Sequence, residues 1–476
     1  MEQYKRNNLN CNIKRKIDYI QRDTFLIIKK DEEVVGYSEN IFNHLDESGE
    51  NNYFDEFNNQ IKNKRNDCII VINSKSYYCH CYRSGEYLLY EFEEYVYTNS
   101  KNLDISFEFL NLVSFDNNLD KSKDTIHQST FENILINTIG NISKFDRVLL
   151  YKFNDSWSGK VIAEYNSSNE ISIYNQFFPE SDIPQYVREL FCKNKIRYIR
   201  NPYDIGHKII YKSNDDLLNI IDGSLSNIIN VSSNSHLKHL DTMKIASSYS
   251  LSVVVNGKLD GLIICHLFNT SEYLNISVSS RHICENLVKI YSKKLEQNII
   301  DKEFKMHLFF DNLSIMSKMF DGYQDLEKNK NIEYVFKQIL FYINADYFIS
   351  NIFGNCISYN TDQEKCINLF NLINKSGIDV NTDNIFYINL NNNNDNCGNG
   401  NGNWVAFFKK PIKEKLKWAG NPELILYNNE KNTYLPRNDF AQYEINTLLE
   451  WEIYNKKSII DFLKNTIFGF FNTKNN

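Results

Sequence analysis

Residues 74–95, SKSYYCHCYRSGEYLLYEFEEY, alternate apolar and polar side chains on either side of Ser84-Gly85. That period of two predicts an antiparallel hairpin with one buried face. Upstream, TFLIIKK (24–30), the polar Asp31-Glu32-Glu33 and VVGYSENI predict a strand, a turn and a strand. FDRVLLYKF and GKVIAEY read as two further apolar strands. SYSLSVVVNGKLDGLIICHLF predicts a hairpin turning at Asn256-Gly257, a dipeptide suited to the positive-φ corner of a two-residue turn. The helical period dominates around 126–143, and again at 280–300, where Ile283, Leu287, Ile290, Tyr291 and Leu295 fall on one stripe. Further on, IEYVFKQIL, ADYFISNIF and GNWVAFFKK predict short strands. The run NLNNNNDNCGNGNGN reads as a solvated loop.

These elements group into three blocks, 1–117, 118–300 and 301–476, the first two separated by the polar linker FDNNLDKSKD. The expectation is an α+β chain of three tandem domains, each an antiparallel sheet flanked by helices and joined by long helices. A length of 476 residues agrees with it, at roughly 150 residues per domain. An apolar fraction of 42% and a charged fraction of 24% are those of a folded globular protein, and aromatics at 14% suit aromatic-walled cores and pockets. A net charge of −7 leaves no basic stripe, which excludes a nucleic-acid reader. The polar, basic N-terminus predicts no signal peptide, and apolar runs such as LSVVV and GLIIC are too short to span a bilayer. Ten scattered cysteines fit reduced thiols and a cytoplasmic location.

The stretch with most local chemistry is FPESDIPQYVRELFCKNKIR, 178–197. Pro179 and Pro184 stiffen the chain on either side of Asp182, and Pro184 suits the first turn of a helix. Ser181 or Asp182 is expected to cap that helix. Ile183, Val187, Leu190 and Phe191 form its buried stripe, with Arg188, Lys195 and Arg197 elsewhere. On these features alone Asp182 is a helix cap. Two other constellations stand open: His236-x-x-His239-x-Asp241 and the Cys79-His80-Cys81 run could serve an enzyme or a metal site. No second ligand pair at zinc spacing accompanies them.

PESDIPQYVRELFCKNKIR resembles the bilin-binding GAF signature of phytochromes, a Pro-Ala-Ser-Asp-Ile-Pro followed by a helix. DRVLLYKFNDSWSGKVIAEY (146–165) resembles that domain's paired strands. NSHLKHLDTMKIASSYSLSVVVNGKLDGLIICH (234–266) resembles its chromophore-facing helix and last hairpin. Upstream, NLNCNIKRKIDYIQRDTFLII resembles the N-terminal segment of bacterial-type phytochromes. Downstream, FFKKPIKEKLKWAGNPE (407–423) and LPRNDF (435–440) resemble the tongue of their PHY domain, here about 418–455. The blocks would then be PAS-like, GAF and PHY-like.

The resemblance implies a photoreceptor that binds biliverdin or another linear tetrapyrrole and signals red/far-red light through Z/E photoisomerisation. Cys11 would attach the bilin through a thioether. Asp182 and His236 would face the pyrrole nitrogens, with Ile183 and Pro184 beside them, and His266 the D-ring carbonyl. Tyr151 and Phe178 would wall the D-ring. Arg197 would clamp one propionate through paired hydrogen bonds, and Ser248 and Ser250 would meet the other. Arg437 would reach Asp182 when the tongue docks.

The resemblance also implies no enzymatic activity beyond self-attachment of the bilin, since no kinase signature follows the third block. It implies a homodimer through GAF and PHY helices, a separate downstream signalling protein, and no nucleic-acid or membrane partner. Departures from the pattern are specific. Asn230 stands for the second propionate arginine, Phe191 and His239 for pocket tyrosines, and Ser235 for the plant-type cysteine. Asp439 replaces a tongue serine, and Lys409 and Pro411 an Arg and a Glu. They keep open a chromophore-free scaffold or dimeric interaction protein, and a GAF pocket for a nucleotide.

Overall fold

A computed structural model of the chain describes residues 19–41 (bar 32), 67–95 (bar 73), 124–202, 206–211, 234–268, 276–319, 325–361 (bar 344 and 353–354), 385–389, 403–408, 413–420, 427–428, 433–434 and 442–448. The architecture is α+β, and its sheets are built mainly of antiparallel pairs, with residues 417–418 joining 176–177 in parallel. Two compact units divide the chain: residues 1–296 with 417–444, and 297–416 with 445–476. Among the described residues no helix is long and apolar enough to cross a membrane.

Among the described residues the first unit contains two large sheets and a two-stranded one that pairs residues 427–428 with 433–434. The first is built from β1 (Tyr19–Ile20), β2 (Thr24–Lys30), β3 (Glu33–Ser38), β4 (Cys68–Ile72), β5 (Lys75–Ser84) and β6 (Tyr87–Glu94). TFLIIKK becomes the central strand because it is buried on both faces. Phe25 and Ile27 pack with Ile70, Tyr77, Cys79 and Phe92, while Leu26 and Ile28 pack with Ile20, Leu89 and Ile209. The β5–β6 hairpin turns at Gly85, whose φ of 59° suits a residue without Cβ.

The second sheet holds β7 (Arg147–Phe153), β8 (Gly159–Asn166), β9 (Gln176–Phe178), β10 (Ile196–Ile199), β12 (Ser247–Val255) and β13 (Lys258–Leu267). β11 (His207–Tyr211), which precedes β12 in sequence, leaves this sheet and inserts between β1 and β3 of the first. The β12–β13 turn falls at Asn256 (φ 48°) and Gly257 (φ 77°), as the Asn-Gly pair predicts. One face of this sheet is covered by helices α1 (Asp124–Ser143) and α4 (Val278–Met319). Phe131 of α1 stacks on Tyr291 of α4, and Tyr291 donates a hydrogen bond to Glu132 at 2.8 Å. The opposite face carries α2 (Gln185–Lys193) and α3 (Asn234–Thr242).

Three expected features are corrected. The buried stripe of α4 over 280–300 is Arg281, Cys284, Leu287, Val288, Tyr291 and Leu295, with Ile283 and Ile290 only half-buried. The helix is therefore rotated slightly from the expected stripe. IEYVFKQIL is not a strand: it lies in helix α5 (Asp325–Tyr342). Its Ile332, Val335, Phe336, Ile339 and Leu340 recur at three- and four-residue spacing, and all are buried. The β-branched and aromatic content suggested a strand, but the period decides. No side chain caps α2 either. Pro184 is its N-cap residue, and Ser181 and Asp182 lie in a separate one-turn 3₁₀ helix, Glu180–Asp182.

A buried ionic cluster ties the first sheet to the second and to α4. Glu93 of β6 accepts from Arg200 at 2.7 Å and from Arg281 near the start of α4. Gln21 joins the same place, donating to the Tyr198 carbonyl at 2.6 Å and accepting from the Arg200 amide at 2.9 Å. Both guanidinia lie over the Tyr198 ring.

In the second unit, β14 (Tyr347–Ile352), β15 (Asn355–Tyr359), β16 (Ile385–Asn389) and β17 (Trp404–Phe408) pair in the order β15-β14-β17-β16. ADYFISNIF and GNWVAFFKK supply two of these strands, as expected. Phe336 of α5 meets Phe348 and Phe407 edge to face at the centre of this core.

Candidate functional site

Strand pairing brings the site's residues onto one face of the second sheet. Arg197 of β10 lies opposite Ser250 of β12, Ile199 opposite Ser248, and Ser248 opposite His266 of β13. Leu262 of β13 lies opposite Tyr151 of β7, and Ile264 opposite Leu149. Residues 248 and 250, 262, 264 and 266, and 149 and 151 share a face because successive strand side chains alternate. Helices α2 and α3 roof that face and leave a cleft of about 1240 Å³ of empty space, part of it continuous with solvent.

Tyr151, Phe178, Asp182, Ile183, Pro184, Phe191, Arg197, His236, His239, Ser248, Ser250 and His266 all line this cleft. The remaining candidates, Cys11 and Arg437, lie outside the described residues, as do Asn230, Lys409, Pro411 and Asp439. The sequence reading missed Ser181, Tyr186, Leu149, Val161, Leu262 and Met243 as lining residues. Alternation would have found Leu149 and Leu262, since each stands two or four residues from a predicted position on the same strand. Tyr186 and Met243 carry no such signal.

The cleft divides into an apolar and a polar part. Tyr151 meets Phe178 at 5.7 Å and Phe153 at 5.1 Å, both edge to face, and Phe191 packs into the same cluster with Leu149 and Val161. The polar part has Arg197 on β10, the serines on β12, His266 on β13, and His236 and His239 on α3. The two α3 rings lie parallel at 6.3 Å, one turn apart. Burial first, then Arg197 and the other two histidines, holds the His236 pKa well below its ordinary value. His266 is pushed down to about 3 by burial, with Arg147 and His239 adding to it. Both imidazoles are therefore neutral near pH 7 and able to accept a hydrogen bond. The Nδ1 atom of His266 is buried and has no hydrogen-bond partner among the described residues.

The turn at Glu180–Asp182 closes one end. Its amides bond backward, Asp182 N to the Pro179 carbonyl at 3.1 Å and Ile183 N to the Glu180 carbonyl at 3.2 Å. Next to it, Lys417 and Trp418 of β18 (Lys413–Ala419) pair in parallel with Gln176 and Phe177 of β9, and the Trp418 and Phe177 rings lie 5.9 Å apart. Of the other two constellations, Cys79 and Cys81 are buried on one face of β5, as alternation predicts. No group of three metal-binding side chains is assembled among the described residues.

No protein-family model matches the chain. Over 186 residues, 39% of the chain, it is 32% identical to cyanobacterial phytochrome A of Nostoc sp., a match covering 24% of that protein. It is 36% identical over 122 residues, 26% of the chain, to a bacteriophytochrome of Pseudomonas aeruginosa, covering 17% of it. The matched segments thus span about a quarter or less of these curated relatives. Among solved structures, the photosensory core module of Stigmatella aurantiaca phytochrome aligns over 98% of both chains, with a TM-score of 0.70 at 16% identity. A bacteriophytochrome of R. palustris aligns over 96% of this chain and 98% of its own, with a TM-score of 0.69 at 16% identity. The chain is phytochrome-like in sequence and carries the fold of a phytochrome photosensory core.

Proposed function

We propose that the chain is a light-sensing module that holds a linear tetrapyrrole, biliverdin in the first instance, in the cleft on the second sheet. One observation carries this reading. Residues nominated from four separate stretches of sequence (Tyr151; Phe178 to Arg197; His236 and His239; Ser248 to His266) line a single cleft. The donor set fits such a group. Flat apolar walls meet two neutral histidines, one with a buried nitrogen that has no hydrogen-bond partner among the described residues. A buried cation needs acceptors of this kind to offset its lost hydration.

Under this reading Asp182 and His236 would hold the pyrrole nitrogens, and His266 would donate a ring N–H to the terminal ring's carbonyl. Arg197 takes one propionate, and Ser248 and Ser250 the other. Tyr151 and Phe178 limit the space at the ring that turns. The bound group supplies absorption of red light and a torsion about one methine bridge. The residues orient it, satisfy its polar atoms and exclude water. Cys11 would tether it covalently and Arg437 would join Asp182. The signal leaves through a homodimer or a separate partner protein in the cytoplasm, with no catalysis by this chain beyond the tether.

The test is an absorption spectrum of protein co-expressed with a biliverdin source, before and after red light, with zinc-stained denaturing gels of wild type and Cys11→Ala. A red band that bleaches and recovers, with zinc fluorescence lost in the variant, is expected. Absence of any bilin would overturn the reading and leave a chromophore-free scaffold, which the hydroxyl-free Phe191 and the imidazole of His239 favour.

A further inference from the structure

Trp157 and Arg188 are unassigned by any of the preceding chemistry, yet each pays a local penalty to be where it is. Trp157 closes the β7–β8 loop with a φ of 64°, the left-handed region that a bulky side chain rarely occupies. The loop fixes it there: Trp157 N bonds to the Asn154 carbonyl at 3.0 Å, and Asn154 N to the Ser158 carbonyl at 2.9 Å. Arg188 is 5% exposed and sits in the first turns of α2, where the helix dipole opposes a cation. It was expected outside the buried stripe. It lies instead beneath the helix entrance, its guanidinium 4.6 Å from the centre of the Trp157 ring.

The guanidinium turns back toward the segment before its own helix. It donates to the Ile183 carbonyl at 2.7 Å and to Glu180 Oε1 at 2.9 Å. Pro184 has no N–H, so the hydrogen-bond ladder of α2 cannot run back through it into the Glu180–Asp182 turn. The side chain of Arg188 therefore bridges the two. Its plane presents two donors in a fixed fork, and the indole face covers the side left open.

We propose that Trp157 and Arg188 form a clamp that positions the Glu180–Ile183 backbone at the cleft, and so sets how Asp182 and Ile183 meet a bound ligand. Neither needs to touch that ligand. Both are positioning residues, and this role rests on the reading of the cleft as a tetrapyrrole site. An arginine is required because a lysine ammonium cannot make both bonds in one plane or stack on the indole.

The decisive experiment is hydrogen–deuterium exchange of the ligand-free full chain, comparing wild type, Arg188→Met, Arg188→Lys and Trp157→Gly. The amides of Asp182 and Ile183 should exchange about tenfold faster in Arg188→Met, the share of one charge-assisted hydrogen bond, with β12 and β13 unchanged. Arg188→Lys should lie between. Trp157→Gly should loosen the same amides while leaving the melting temperature equal or higher, because glycine removes the left-handed penalty. A role in stability alone predicts the opposite: a lower melting temperature with no local change at 180–183. Wild-type exchange in Arg188→Met, or acceleration spread over β12 and β13, overturns the clamp.

A parallel titration with biliverdin separates this from the underlying reading. Arg188→Met should shift the absorption band and weaken binding about tenfold. An unshifted band at unchanged affinity overturns the positioning role. If wild type takes up no biliverdin, the cleft assignment fails, and the exchange result still decides whether the clamp exists.

Discussion

Gly159 lies directly against the ring of Tyr151: a Cβ at position 159 would stand 1.9 Å from the ring's Cζ. The first residue of β8 has no side chain because the cleft's central aromatic passes over it. Gly159→Ala is expected to cost about 1–3 kcal/mol as an overpacking change and to displace the Tyr151 ring. In a Tyr151→Ala background most of that cost should vanish. A double-mutant cycle read by urea denaturation checks this, with a coupling of at least about 1 kcal/mol expected.

Gly257 and Gly261 should respond differently to alanine. Gly257 has open space around it and a φ of 77°, so Gly257→Ala is opposed only by the left-handed backbone, at about 1–2 kcal/mol. A Cβ at position 261 would stand 2.5 Å from the backbone oxygen of Tyr151, and no side-chain rotation can relieve that. Gly261→Ala must open the β13–β7 pairing and should lower the melting temperature by more than Gly257→Ala. Equal shifts in thermal scans would refute this contrast.

The ion cluster at Glu93 predicts a large loss. Its carboxylate joins Arg200 and Arg281, with all three side chains at least nine-tenths buried. Glu93→Ala leaves two buried guanidinia without their carboxylate and is expected to cost about 3–5 kcal/mol. The exposed Lys30–Glu86 pair, 2.7 Å apart, offers the control: Glu86→Ala should leave stability nearly unchanged, because solvent screens the pair. Chemical denaturation of both variants at one salt concentration is sufficient.

The cleft histidines set a pH dependence. An unfolded histidine titrates near 6.5, while His266 in the fold is pushed down to about 3 and His236 lies well below its ordinary value. Between those limits the unfolded chain binds more protons than the folded one, so stability falls as pH falls from about 6.5 toward 3. The slope is at most about 1.4 kcal/mol per pH unit for each histidine. His266→Gln should flatten the slope between pH 6.5 and 4.5. Urea midpoints across that range measure it, and an unchanged slope would sink the assignment.

Much of the cleft was legible in sequence because it is built from strands. Once Ser248, Ser250 and His266 are placed on the β12–β13 hairpin, alternation and register carry them to one face. The Asn256-Gly257 turn alone would set Ser248 opposite Cys265; a bulge between Val253 and Val254, which no local signal announces, shifts the register and brings His266 opposite Ser248. What could not be read is held by contacts remote in sequence. Glu93 and Arg281 are 188 positions apart, and nothing local in YEFEEY announces that Glu91 and Glu93 will both be buried. Arg188 looked like a solvent-facing charge because its burial depends on Trp157, which a separate loop delivers. IEYVFKQIL misled by composition: its residues favour strands, but Ile332, Val335, Phe336 and Ile339 keep the helical period and face a core that only the folded chain supplies. The ladder of β11 with β1 and β3 has no local signal at all.

That ladder has a consequence for biosynthesis. Residues 207–211 lie between β1 and β3, so β1 is joined to the first sheet through a strand made almost two hundred residues later. A nascent chain emerging from the ribosome holds an unfinished sheet, with the edge of β3 open, until Tyr211 has been translated. The sheet's last pairings carry a long sequence separation and close late, after slower loop closure than any neighbouring hairpin requires. Completion of the amino-terminal sheet is therefore timed by synthesis of residues 207–211, which lie in sequence between β10 and β12 of the second sheet.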